Sequence, residues 1–82
     1  MTKEKRIETI RKFHIKHLIA KNRKDGDKSS LYYGLERRAK QLFREEHNAT
    51  PEEIAEIIQK VDEEIEKAGI NADQFVALYH SI

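Results

Sequence analysis

Thr50-Pro51-Glu52-Glu53-Ile54-Ala55-Glu56-Ile57-Ile58-Gln59-Lys60-Val61 is the stretch from which the fold class of this chain follows. Thr50 has the hydroxyl that an N-cap needs. Pro51 fits the first helical turn, where no amide hydrogen is required, and Glu53 is placed to close a capping box. Ile54, Ile57, Ile58, Val61, Ile65 and Ala68 then recur at helical spacing and make one apolar stripe. Glu56 with Lys60 and Glu63 with Lys67 are favourably ordered pairs on the opposite face. Gly69 suits a left-handed stop, with Ile70 placed to fold back on Ile65. The spacing predicts a helix over residues 51–68. Ile54, Ile58, Val61, Ile65 and Ala68 also match a coiled-coil seam. That seam is short for self-association, so an intramolecular core is expected, with monomer and homodimer both left open.

Working outward, Asn71 and Gln74 repeat the capping-box pattern and predict a last helix over 72–81 that buries Phe75, Leu78, Tyr79 and Ile82. Upstream, Ser29 or Ser30 is a cap for a helix over 30–47, with Leu31, Leu35, Ala39, Leu42 and Phe43 inward. A first helix over 3–22 places Ile7, Ile10, His14 and Leu18 on one face, Phe13 on one flank, and Ile15 and Ile19 on the other. Lys24-Asp25-Gly26-Asp27-Lys28 breaks it with turn residues. No segment alternates as a strand does. The expected fold is all-α, a small single domain of four helices over 1–82, arranged as a bundle or an orthogonal array.

With 82 residues there is material for one core. The absence of cysteine removes disulfides, thiolate zinc sites and a cysteine nucleophile. The charged start and the short apolar runs fit neither a signal peptide nor a membrane span, so a cytoplasmic protein is expected. The triplet Asn48-Ala49-Thr50 is accordingly set aside as a glycosylation acceptor.

Charge is sorted along the chain. Residues 1–44 hold 14 Lys and Arg against five acids, a net of +9, while residues 45–82 hold two Lys against ten acids, a net of −8. A basic half can attract phosphate or an acidic protein, and an acidic half can neutralise it within the fold. On the second helix Tyr33, Arg37, Lys40 and Arg44 share one face. Like charges four apart repel, and a partner carrying regularly spaced negative charge relieves that repulsion. Tyr33 suits stacking on a base, the guanidinium groups suit phosphate oxygens, and Lys21, Arg23, Lys24 and Lys28 extend the patch. A solvated face, or one answered by Glu52, Glu56 and Glu63, is the plainer reading. The acidic helix that follows rules out a helix-turn-helix reader, because its carboxylates would press on phosphates.

Ile15 and Ile19 sit well round from Ile10 and Phe13 and are interleaved with Arg11, Lys12 and Lys16. Exposed, they form a protein-interaction surface; the alternative is a first helix covered on two sides. The expected function is a non-enzymatic binding or regulatory protein that contacts nucleic acid through its basic half. The rival is a protein–protein interaction module, such as an adaptor, an immunity protein or an inhibitor of a larger assembly.

Other chemistry has little support in the residues. Asp25, Asp27, Ser29 and Glu36 fall in a calcium-loop register, but Ser30 replaces the turn glycine and Lys24 and Lys28 add positive charge. His14 and His17 are three apart, yet no carboxylate or thiol stands at a completing spacing and Arg11, Lys12 and Lys16 oppose a cation. His47 suits a helix terminus. No metal and no cofactor are expected. The serines lie outside any nucleophile motif, and the carboxylates lie on a solvated face.

Overall fold

The computed structural model describes residues 1–68. They form α1 (Lys3–Asn22), α2 (Gly26–His47) and α3 (Pro51–Ala68), with no strand among them. The helix expected over 72–81 lies outside the described residues. None of these three helices is long and apolar enough to cross a membrane.

α3 has the bounds that the sequence predicts, and Glu53 donates its amide to Thr50 Oγ1 at 3.1 Å. The Glu53 carboxylate turns outward to Lys3 of α1, 3.6 Å away. α1 begins under Thr2, whose hydroxyl accepts from the Lys5 amide at 3.2 Å. It ends where Lys24 takes a left-handed conformation, φ 58°, and the Asp25 amide reaches back to the Ala20 carbonyl at 3.0 Å.

Asp25 then caps α2 by accepting from the Lys28 amide at 3.1 Å. This corrects the expected cap at Ser29 or Ser30. An aspartate one turn upstream satisfies the first orphan amides, so residues 26–29 wind into the helix. α2 closes at Asn48, left-handed at φ 52°.

The inner face of α2 also differs from expectation. Tyr32, Glu36, Ala39 and Phe43 are buried, while Leu31 and Leu35 are 56% and 37% exposed. A carboxylate turns inward because partners meet it there, and that rotation carries the leucines out. Gly34 lies on the exposed side of α2, with nothing within 4 Å of where a Cβ would stand. Gly34→Ala is therefore expected to raise stability by about 0.5–1 kcal/mol, because alanine forms helix at lower entropic cost. A urea midpoint that stays put or falls would contradict this.

α1 is the central element. Its start lies beside the end of α2, where the Met1 amine and Arg6 pair with Glu46 and His47 approaches the Met1 carbonyl. The two helices are thus antiparallel. α3 runs alongside α1 in the same direction, with Lys3 on Glu53 and Arg11 on Glu64. Ile10, Ala39, Phe43 and Ala49 form one core cluster; Ile15, Val61 and Ile65 form another. Phe43, Ile10, Ile15 and Val61 are fully buried, each stabilising by about 1.5–3 kcal/mol.

This arrangement corrects the reading of Ile15 and Ile19 as an exposed protein interface. Ile15 is 1% exposed and packs on α3, and Ile19 joins the same cluster. A helix with neighbours on two sides needs apolar residues on more than one face. Val61 and Ile65 of the possible coiled-coil seam are likewise spent inside the molecule.

Candidate functional site

α2 and α3 both pack on α1 but touch each other only sparsely. Between them opens a groove of about 520 Å³ lined by Arg37, Lys40 and Arg44 from α2 and by Pro51, Ile54, Ala55, Ile58, Gln59 and Asp62 from α3. Helical periodicity places the three cations in register along one wall. The stripe of α3 supplies an apolar opposite wall, since Ile54 and Ile58 are only partly covered by the core.

The structure thus brings together three of the four residues predicted on this face. Tyr33, 48% exposed, is the fourth. Its ring lies 5.2 Å from that of His17, and the Arg37 guanidinium lies 5.9 Å from it. Lys40 is not free for a ligand, because its ammonium sits 2.7 Å from Glu36 Oε2. Lys21, Arg23, Lys24 and Lys28 are exposed around the α1–α2 turn. At 1.5 Å per residue, Arg44 lies about 24 Å along the helix from Lys28. None of the four turn cations lines the groove, although Lys21, like Lys40, lies close enough to His17 to act on its charge.

The two charged halves partly face each other. Arg11 pairs with Glu64 at 2.8 Å, Lys3 with Glu53 at 3.6 Å, and Arg6 with Glu46. Such pairs contribute little stability where they are exposed, and they neutralise Lys3, Arg6 and Arg11 of α1. Among the described residues Arg37 and Arg44 on the groove wall and Lys21, Arg23, Lys24 and Lys28 around the turn carry no ion pair, as is true of Lys5, Lys12, Arg38 and Lys67 elsewhere.

Beneath the groove lies a polar knot that joins all three helices. Buried His14 of α1 places Nδ1 2.9 Å from Glu36 Oε1 of α2 and Nε2 2.8 Å from Asp62 Oδ1 of α3. Burial pulls the His14 pKa down, but hydrogen bonds to Glu36 and Asp62 and their negative charge outweigh it, and the net shift is upward. Glu36 is pushed up by burial and down by His14 and Lys40, with a net shift downward. Both directions describe an imidazolium between carboxylates. His17 shifts downward, because burial outweighs the pull of Glu36.

Glu36, 22 residues from His14, is also the carboxylate that neighbouring sequence does not supply to the His14–His17 pair. Glu36 reaches the pair from α2, so no spacing along α1 reveals it. Glu36 stands on the Tyr32–Ala39–Phe43 stripe at helical spacing, and a charge on an apolar stripe was the one signal that could have revealed the knot.

Elsewhere, Lys16 is 3% exposed, its ammonium sealed from solvent without a hydrogen-bond partner and 5.7 Å and 6.0 Å from the ring centres of Tyr32 and Phe13. Burial and the nearby Lys12 ammonium lower its pKa to about 8.

No protein family, curated protein or solved structure matches this chain. The functional reading therefore rests on the site itself.

Proposed function

We propose that this is a non-enzymatic protein-interaction module whose α2–α3 groove receives an acidic, amphipathic segment of a partner protein. The observation that supports this reading is the pairing within one groove of two cations free of ion pairs among the described residues, Arg37 and Arg44, with an apolar wall of Pro51, Ile54, Ala55 and Ile58. A helix laid in such a groove places apolar anchors on α3 and carboxylates under the arginines. Arginine at the edge of an apolar patch is a common anchor of interface energy. A phosphate backbone has no use for the isoleucine wall, and Lys40 is already engaged by Glu36.

Nucleic-acid binding is the second reading, favoured by the exposed turn cations Lys21, Arg23, Lys24 and Lys28. On that reading affinity falls steeply with salt, because each neutralised phosphate releases a counterion.

Two experiments separate the readings. The full chain and the Arg37→Glu/Arg44→Glu variant serve as baits, and labelled single- and double-stranded DNA and RNA are titrated at two salt concentrations. The groove reading expects a protein captured by the wild type, with binding at least tenfold weaker in the variant, about 1.4 kcal/mol. Saturable, salt-sensitive binding of nucleic acid that survives the variant moves the assignment to the turn. If neither bait nor titration shows binding, both readings fail.

A further inference from the structure

The two histidines of α1 and the inward carboxylate of α2 make a constellation that no ion pair fully accounts for. One donor atom from each of His14, His17 and Glu36 lies within 4.8 Å of the other two. Glu36 Oε1 stands 2.9 Å from His14 Nδ1 and 3.7 Å from His17 Nδ1. Tetrahedral zinc with bonds of about 2.0–2.1 Å places neighbouring donors roughly 3.3 Å apart. The two observed spacings bracket that edge, and the third, between the two imidazoles, lies within 4.8 Å.

His17 Nδ1 is the telling atom. It is closed off from solvent and has no hydrogen-bond partner, although Glu36 lies nearby. Buried polar atoms are nearly always satisfied, and a nitrogen left over beside a carboxylate and a second imidazole calls for a ligand. The surroundings are also those of a metal site. Asp62 holds His14 Nε2 at 2.8 Å, the carboxylate–histidine arrangement that fixes a ring and turns its other nitrogen to a metal. Lys40 holds Glu36 Oε2 at 2.7 Å and leaves Oε1 for the centre. The charges of Lys40 and Lys21, which oppose a cation here, are offset by Glu36 and Asp62.

We infer that His14, His17 and Glu36 bind one divalent transition ion of the zinc class, clamping α1 to α2. Two imidazoles and one carboxylate suit such an ion, and they leave a fourth position for water on the side of the partly exposed His17 ring. Binding replaces the proton between His14 Nδ1 and Glu36, which leaves to solvent, so charge and protons balance. This inference stands independently of what occupies the groove.

The test is a titration of the chelator-treated full chain with Co²⁺, followed in the visible spectrum, then displacement with Zn²⁺. One equivalent of Co²⁺ should produce the strong absorption of a four-coordinate centre, and Zn²⁺ should abolish it. His17→Ala removes a ring nitrogen that has no hydrogen-bond partner. With helical circular dichroism unchanged, it should weaken binding by roughly tenfold or more, in the range typical of lost metal-site contacts. His47→Ala should leave binding as it was. Absence of binding at millimolar Co²⁺, binding indifferent to His17→Ala, or binding lost in His47→Ala would each overturn the assignment.

Discussion

Replacing His14 with alanine is expected to destabilise the fold by about 3 kcal/mol, a large share of what a domain of this size possesses. The loss comes less from the imidazole's own contacts than from what it leaves behind. Glu36 is 3% exposed and would retain only Lys40 as a counter-charge. Asp62 would lose its tie to α1, and α3, which barely touches α2, would lose a link to the rest. Urea unfolding followed by circular dichroism, with chelator present, measures the effect. The double variant His14→Leu/Glu36→Leu should regain most of the loss, because removing both charges ends the desolvation cost. Asp62→Asn should cost under about 1 kcal/mol, since its side chain is half in water. A His14→Ala variant nearly as stable as wild type, or a double variant no better than the single, would show that the knot is not what secures the three helices.

Lys16→Met is expected to act in the opposite direction. The Lys16 stem packs beneath Phe13 and Tyr32, and methionine can follow it, while the sealed ammonium has no acceptor. Removing that charge should raise stability at pH 7 by on the order of 1–3 kcal/mol, less than the full equivalent of the pKa shift because the two rings recover part of the cost. The gain should depend on pH with a definite sign. Below about pH 8 Lys16 is protonated in both folded and unfolded chains, and the whole penalty is present. Between that value and 10.5 the unfolded chain holds the proton and the folded one has released it, so the wild type gains stability as pH rises. The advantage of Lys16→Met should therefore shrink across this window and vanish above it. Unfolding curves of both proteins at pH 7, 9 and 10.5, again with chelator present, provide the comparison. An advantage that stays constant with pH would mean that the ammonium is not buried without a partner.

The fold and the site were legible to different degrees. α3 was fully readable, because Thr50, Pro51 and Glu53 fix its start locally and one isoleucine-rich stripe fixes its face. α1 was readable in extent but not in environment: apolar residues on several faces fit either exposure or two neighbours. α2 was legible at Ala39 and Phe43, which are buried as expected, but not at its start or at Leu31 and Leu35. Asp25 and Ser29 are equally good caps, and Leu31 and Leu35 continue the Ala39–Phe43 stripe at helical spacing as well as Tyr32 does. That Arg37, Lys40 and Arg44 share one wall was legible, since it follows from helical spacing alone. Their surroundings were not, because the opposite wall comes from α3.

By itself the sequence determined the helical class, the bounds of α3, the segregation of charge and the residues sharing each helix face. These follow from capping, propensity and a period of 3.6, all of which act within a few residues. Only the tertiary structure decided that α1 is the central helix and that Lys3, Arg6 and Arg11 pair with Glu53, Glu46 and Glu64. It alone decided that Glu36 turns inward to meet His14 and that a groove separates α2 from α3. Those outcomes depend on where distant side chains find partners: a carboxylate can be buried only if an imidazolium and an ammonium arrive from elsewhere to balance it, and that meeting is written in the packing of helices, not in the spacing along any one of them.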